Sequence, residues 1–168
     1  MSITILQPNT IHLGGPAQRV NDLAAGVAIA PGMLVERYVP SGTQVRLRPH
    51  ATADVSTGRY VATEASMLNK NVNDLYAIND LVEQVHLTGG STAWMIIASG
   101  QNIVAGQKLQ SAGDGTLKAY VTLGAAIFAA LESVNNTTGS AGPTNPPQET
   151  GATRALPVGA ARIRVEAI

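Results

Sequence analysis

The 168-residue sequence contains no cysteine, only one tryptophan and one phenylalanine, and few charged residues. The lack of cysteine excludes disulfides, thiolate nucleophiles and cysteine-based zinc sites. Charged residues make up 13% of the chain, about half of the share in an average soluble protein. Because a neutral surface is desolvated at little cost, this composition favours burial in an assembly over a small soluble protein coated with neutral polar side chains.

Neither net charge nor a long apolar run is present. Eleven lysine and arginine residues balance eleven aspartate and glutamate residues, so no net field attracts nucleic acid or anionic lipid. No run approaches the roughly 18 apolar residues of a membrane helix. The N-terminal residues lack the basic and apolar regions of a signal peptide. We therefore expect no nucleic-acid partner, no membrane partner, and synthesis in a cytoplasm.

What the sequence does contain is a turn-and-strand pattern that occurs twice. The first copy begins at Ile29 with I-x-x-G-x-x-V, and the second begins 74 residues later at Ile103 (103 − 29) with I-x-x-G-x-x-L. A glycine-containing turn follows in each copy, and then an A-x-E strand end at residues 62–64 and 130–132. This duplication predicts an all-β fold, a compact β-barrel or sandwich built from two tandem similar β-units, with an extended N-terminal arm.

The composition along the chain predicts the domain organisation. Proline and glycine interrupt the start of the chain, whereas strand patterns dominate the remainder. The predicted parts are an extended N-terminal arm at 1–25 and a single β domain at 26–168, with repeat units at about 26–90 and 91–168.

Two segments of the second unit lack a clear strand pattern. Residues 135–151 contain no aliphatic side chain larger than alanine, so they predict a flexible loop. Residues 119–134 fit both helical spacing and a strand. The repeat favours the strand, because it aligns Phe128–Glu132 with Tyr60–Glu64.

The arm carries apolar side chains that a frayed terminus would not need. We therefore predict that it binds a partner. The candidate partner-binding residues are Ile3, Ile5, Leu6, Ile11 and Leu13.

Candidate catalytic and metal-binding residues are sparse. His12, His50 and His86 fall on three different segments without the spacing of metal ligands. Glu64 and Glu132 occupy equivalent repeat positions and could pair as an acid and a base. Glutamates at strand ends more often accept backbone hydrogen bonds or meet an arginine. We expect no catalytic residues, no metal and no cofactor.

The I-x-x-G-x-x-V opening, the turn S-A-G-D-G-T-L at residues 111–117, and the A-x-E strand followed by a closing V-R-V-like strand resemble decoration, or cement, proteins of tailed-phage heads. The similarity runs from about Gly26 to Ile168, without the 135–151 loop. It implies a structural virion protein without enzymatic activity, located on the capsid surface and made in the cytoplasm of a bacterial host. Its implied partners are the major capsid protein lattice and further copies of itself, with a homotrimer favoured over a dimer.

Two alternatives remain at this point. One is another virion β-module, such as a head-fibre base or a tail-associated protein. The other is a small hydrolase or sugar-binding module, which would need a pocket with converging polar groups.

Overall fold

The computed structural model describes residues 9–42, 44–55, 58–122, 124–137 and 160–168. Three predicted arm residues (Ile3, Ile5 and Leu6) and most of the 135–151 loop lie outside these ranges. The described residues form thirteen β-strands and one short 3-10 helix, so the predicted all-β fold class is confirmed. Within these residues, no helix has the length and apolar character needed to cross a membrane.

The strands of the N-terminal half, in chain order, are β1 (His12–Gly14), β2 (Ala17–Val20), β3 (Val35–Tyr38), β4 (Arg46–Pro49), β5 (Tyr60–Ala62) and β6 (Gln84–Leu87). The 3-10 helix, Ser66–Leu68, lies between β5 and β6. The strands of the C-terminal half are β7 (Thr92–Ile97), β8 (Asn102–Ile103), β9 (Lys108–Ser111), β10 (Leu117–Ala119), β11 (Phe128–Ala130), β12 (Val134–Asn135) and β13 (Ala161–Ala167). The strand prediction within 119–134 is therefore confirmed at Phe128.

The second unit is a closed barrel of five strands in the order β7-β10-β9-β11-β13, because β13 also pairs with β7. β10 joins β7 in parallel through Leu117 and Ile97, and the other neighbours are antiparallel. The continuous apolar run at residues 93–97 forms the buried body of β7. Outside the ring, β1 pairs antiparallel with the first residues of β7.

The first unit repeats this pairing. β3 pairs with β4 and β5 pairs with β6, both antiparallel. The parallel bridge between Ala25 and Leu47 corresponds to the parallel pair Ile97–Leu117 of the second barrel. The isolated bridges that complete the ring are Ala24–Leu81, Ala25–Leu47 and Leu34–Val61.

The glycine turns of the two units make matching backbone hydrogen bonds. The amide of Gly32 donates to the carbonyl of Ala62 at 2.7 Å, and the amide of Gly106 donates to the carbonyl of Ala130 at 2.7 Å. Gly32 has φ +89° and Gly106 has φ +84°. Glycine is needed in both turns because L-residues with a side chain rarely adopt this left-handed region.

The first strand of the first unit lies inside the predicted arm. β2 pairs antiparallel with β6 from Ala17–Leu87 to Val20–Gln84, as the first half of β7 pairs with β13. Residues 17–25 therefore belong to the first barrel, whereas the sequence predicted an arm up to residue 25. Only Val20 is a large apolar residue in β2, so no strand pattern identified it.

Two apolar clusters hold the barrels together. One contains Trp94, Phe128 and most of the second barrel's interior, and it also takes in Ile11. The other fills the first barrel around Leu47 and Tyr76, and Ile96 of β7 contributes to it. Trp94 and Phe128 are core residues, and the barrels share an interface through β7.

Candidate functional site

The N-terminal segment enters the fold at a buried carboxylate. The side chain of Glu64, which is 8% exposed, accepts the hydroxyl of Thr10 at 2.6 Å and the amide of Ile11 at 2.9 Å. On the same segment, the carbonyl of Ile11 accepts the amide of Trp94 at 2.8 Å. These bonds fix the point from which the chain extends toward its N-terminus. We call Thr10, Ile11 and Glu64 the arm root.

The repeat shows why Glu64 is available for this role. In the second unit, the equivalent residue Glu132 accepts the backbone amide of Arg164 at 2.8 Å. Its carboxylate also meets the Arg164 guanidinium at 3.0 and 3.1 Å. Both glutamates therefore act as acceptors of backbone hydrogen bonds, the more common role for a glutamate at a strand end.

Among the described residues, Glu64 has no arginine partner like the one that Glu132 has, because the position equivalent to Arg164 is occupied by Glu83. Thr63 donates to the carbonyl of Glu83 at 2.9 Å, and Leu131 donates to the carbonyl of Arg164 at 2.9 Å. Glu83 and Arg164 therefore hold equivalent places. Because Glu83 is an anion, it cannot pair with Glu64, and its carboxylate lies instead 3.7 Å from the guanidinium of Arg19.

The structure describes two of the five predicted partner-binding residues, Ile11 and Leu13. Ile11 is fully buried, and Leu13 packs against the same core cluster. Both side chains serve the packing of their own chain, so Ile11 anchors the segment instead of reaching outward. Ile3, Ile5 and Leu6 lie outside the described residues, and their binding of a partner stays a prediction.

A second polar cluster joins the two units. His50 Nδ1 lies 2.7 Å from Ser111 Oγ, and His50 Nε2 lies 3.6 Å from a carboxylate oxygen of Glu36. Burial lowers the pKa of His50, while Glu36 raises it and Arg48 lowers it further. Serine, histidine and glutamate are the residue types of a nucleophilic triad, but Ser111 is fully buried. Since a substrate cannot reach this hydroxyl in the folded chain, the cluster acts as a junction between barrels.

A buried arginine also bridges the units. Arg162 of β13 is 2% exposed and donates to the carbonyl of Pro31 and the side chain of Asn73, both at 3.0 Å, and to the carbonyl of Val72. Its guanidinium carbon lies 5.2 Å from the centre of the Trp94 ring. Burial lowers its pKa to about 10. Nothing in the sequence singled out this arginine, because all of these partners are distant along the chain.

Two further features bear on chemistry. Within the described ranges, no three histidine, aspartate or glutamate side chains come together as metal ligands. A shallow surface cavity of about 290 Å³ lies beside the β3–β4 turn. Its lining residues are Gly26, Tyr38, Pro40, Ser41, Gln44 and Arg46. Arg46 is bonded to the carbonyl of Ala25 and to the side chain of Asn79.

Comparison with protein-family models and with curated proteins finds no match to this chain.

Proposed function

We propose that this chain is a structural protein of a tailed-phage virion that binds the outer surface of the assembled capsid as a decoration, or cement, protein. It acts by adhesion and catalyses no reaction. The observation that carries the proposal is the arm root, where Glu64 fixes an apolar N-terminal segment to a scaffold of two tandem barrels. The motifs that resemble decoration proteins form the turns and strand ends of these barrels.

The proposed partner is the lattice of the major capsid protein. A ligand that binds only the assembled lattice stabilises it by mass action. Weak contacts suffice when several copies engage the same symmetric surface, because the later contacts are made at high effective concentration. We infer a homotrimer, which would place three N-terminal segments on one shell position.

Removal of residues 1–8 tests the attachment. The cut must stop before Asn9, because Ile11 lies in the core and β1 pairs with β7. The shortened protein should keep the wild-type melting temperature and bind mature, expanded shells at least tenfold more weakly. The matched full-length variant replaces Ile3, Ile5 and Leu6 together by serine and should bind as weakly. A second control, Thr4→Ala with Gln7→Ala, should bind as wild type. Undiminished attachment of the shortened protein would contradict the proposal.

The mass of the protein in solution tests the oligomer. We expect three copies by native mass spectrometry and light scattering. A compact monomer without affinity for mature shells would overturn the proposed function. Electron microscopy of labelled particles distinguishes the capsid surface from a head-fibre base or a tail position.

A further inference from the structure

The second unit inserts a turn into the first unit. Gly115, in the turn between β9 and β10, accepts the amide of Leu34 on its carbonyl at 2.8 Å and donates its own amide to the carbonyl of His50 at 3.1 Å. Gly115 is buried, and a Cβ at this position would lie 2.8 Å from the Cβ of Pro49. The turn therefore lies between the residue that precedes β3 and the residue that follows β4.

Strands β7 and β13 extend this contact. The amide of Ile96 donates to the carbonyl of Gly32 at 3.1 Å, and Arg162 donates to the carbonyl of Pro31 at 3.0 Å. Ile96 also belongs to the apolar cluster of the first barrel. We call residues 30–34 with His50 the receiving face of the first unit. The inserting face of the second unit consists of Ile96, Gly115 and Arg162.

The second unit has a receiving face of its own. Residues 104–108 correspond to residues 30–34, at the offset of 74 between the two copies (103 − 29). The amide of Tyr120 donates to the carbonyl of Lys108 at 2.9 Å, as the amide of His50 donates to the carbonyl of Leu34 at 2.9 Å. Residues 104–108 with Tyr120 are therefore the receiving face of the second unit.

This second receiving face is uncovered. Every residue of the first receiving face is buried, whereas Val104 is 59% exposed and Tyr120 is 37% exposed. The carbonyl of His50 accepts the amide of Gly115, but no described residue donates a backbone hydrogen bond to the carbonyl of Tyr120. The place that the Gly115 turn fills in the first unit thus has no described occupant in the second.

The first unit, in turn, carries an uncovered inserting face. Ala24 pairs with Leu81 as Ile96 pairs with Arg162, so Leu81 corresponds to Arg162. Arg162 is 2% exposed and Leu81 is 54% exposed. The contact that Arg162 makes inside the chain therefore has no counterpart at Leu81 among the described residues.

The turn between β3 and β4 belongs to the same uncovered face. It corresponds to the turn that holds Gly115, because β3 and β4 pair as β9 and β10 do. The residues at the two ends of this turn are Val39, which is 66% exposed, and Val45, which is 46% exposed. We call Leu81, Val39 and Val45 the inserting face of the first unit.

We propose that a second copy of this chain places the inserting face of its first unit on the receiving face of the second unit. Both faces are exposed, so they do not meet within one chain, and a neighbouring copy would repeat a contact that the chain already makes internally. Burial of Leu81, Val45 and Val104 would favour the contact. A contact between unlike faces is heterologous and forms a ring when the successive rotations close. The inference rests on the homotrimer in the proposed function and assigns its interface.

Cysteine cross-linking tests the contact, because the chain has no cysteine of its own. Leu81→Cys and Val104→Cys are placed in separate chains with different affinity tags, co-expressed, and treated with a short bismaleimide. Both positions are more than half exposed, so both thiols are accessible in the folded chain. We expect cross-linked dimers that carry both tags. In the control, Val55→Cys from the loop after β4 replaces Val104→Cys and should give at least tenfold less product.

Each cysteine variant expressed alone examines a contact between like faces. Leu81→Cys alone and Val104→Cys alone should give no cross-linked dimer. Abundant dimers of a single variant would assign the contact to two identical faces and overturn the proposal. The absence of products with both tags in the mixed sample would overturn it as well.

Acidic substitutions provide the second test. Leu81→Asp and Val104→Asp each place a charge in the contact, and circular dichroism should show an unchanged fold because both side chains are exposed. Native mass spectrometry should find at least tenfold less trimer for either variant at the same concentration, and an unchanged amount for Val55→Asp. Wild-type trimer levels in either acidic variant would overturn the inference. A protein that fails both tests but still attaches to mature shells would overturn this contact and leave the proposed function in place.

Discussion

The carboxylate of Glu64 lies 2.9 Å from the backbone nitrogen of Ile11, so a buried anion of the first barrel holds the N-terminal strand. In Glu64→Gln, an NH2 group replaces one of the two carboxylate oxygens. One of the two donors, the Thr10 hydroxyl or the Ile11 amide, then loses its acceptor. We expect the substitution to lower the free energy of unfolding by about 1.5–3 kcal/mol, the range for hydrogen bonds to charged groups. Urea denaturation measures this loss.

The matched control is Glu132→Gln at the equivalent repeat position. Its partner Arg164 has a half-exposed side chain, so water can replace much of the lost interaction. We expect a loss of about 1 kcal/mol or less. A larger loss for Glu132→Gln than for Glu64→Gln would contradict the anchoring role of Glu64.

Alanine variants of the two repeat glycines, Gly32 and Gly106, distinguish backbone strain from steric crowding. An alanine Cβ at Gly106 would meet no atom within 4 Å, whereas at Gly32 it would lie 3.0 Å from the carbonyl oxygen of Trp94. Gly106→Ala should destabilise by about 1–2 kcal/mol, the cost of a left-handed L-residue. Gly32→Ala should lose a further 1–3 kcal/mol, roughly, because a backbone neighbour gives way poorly. Equal melting temperatures for the two variants would disprove this difference.

The duplication was predictable because its signals are local. Each copy needs glycine at a left-handed turn, and Gly32 and Gly106 hold the same place in the pattern. The strand at residues 17–20 was not predictable, because its partner β6 lies more than 60 residues away. The run at residues 93–97 of β7 is continuously apolar and buried, whereas the side chains of Ala17 and Arg19 are exposed.

The arm root illustrates a second limit of sequence reasoning. The repeat position of Glu64 indicated an acceptor of backbone hydrogen bonds, but its partners are the amide of Ile11 and the hydroxyl of Thr10. A backbone amide has no sequence signature, so the pairing could be found only in three dimensions. The apolar character of Ile11 predicted burial without distinguishing a partner from the core of its own chain.

Arg162 and Arg164 lie two residues apart on β13 and differ in environment. Arg162→Lys loses the planar group that reaches Pro31 and Asn73 together, and lysine would leave buried acceptors without donors. We expect a loss of about 2–4 kcal/mol in urea denaturation and a shift in the emission of the single tryptophan, Trp94. Arg164→Lys should cost less than about 1 kcal/mol. Similar losses for both variants would refute the bridging role of Arg162.

His50 should make stability depend on pH between about 7 and 5. Burial lowers its pKa below 6.5, so the unfolded chain binds the proton more readily than the folded chain does. The contribution of neutral His50 is therefore complete above pH 6.5 and declines as the pH falls toward the folded-state pKa. The groups that face the ring are Glu36 of β3, Arg48 of β4 and Ser111 of β9. Urea midpoints measured from pH 7.5 to 5 should fall in the wild type.

His50→Gln is the matched variant for this dependence. Glutamine can retain a hydrogen bond to Ser111 but carries no titrating group, so its urea midpoint should change less over the same pH range. The comparison concerns the slopes, since the substitution also lowers stability at pH 7.5 by removing a packed ring. Parallel slopes for wild type and His50→Gln would show that another group controls the acid response. Protonation of His50 would then not weaken the junction between the barrels.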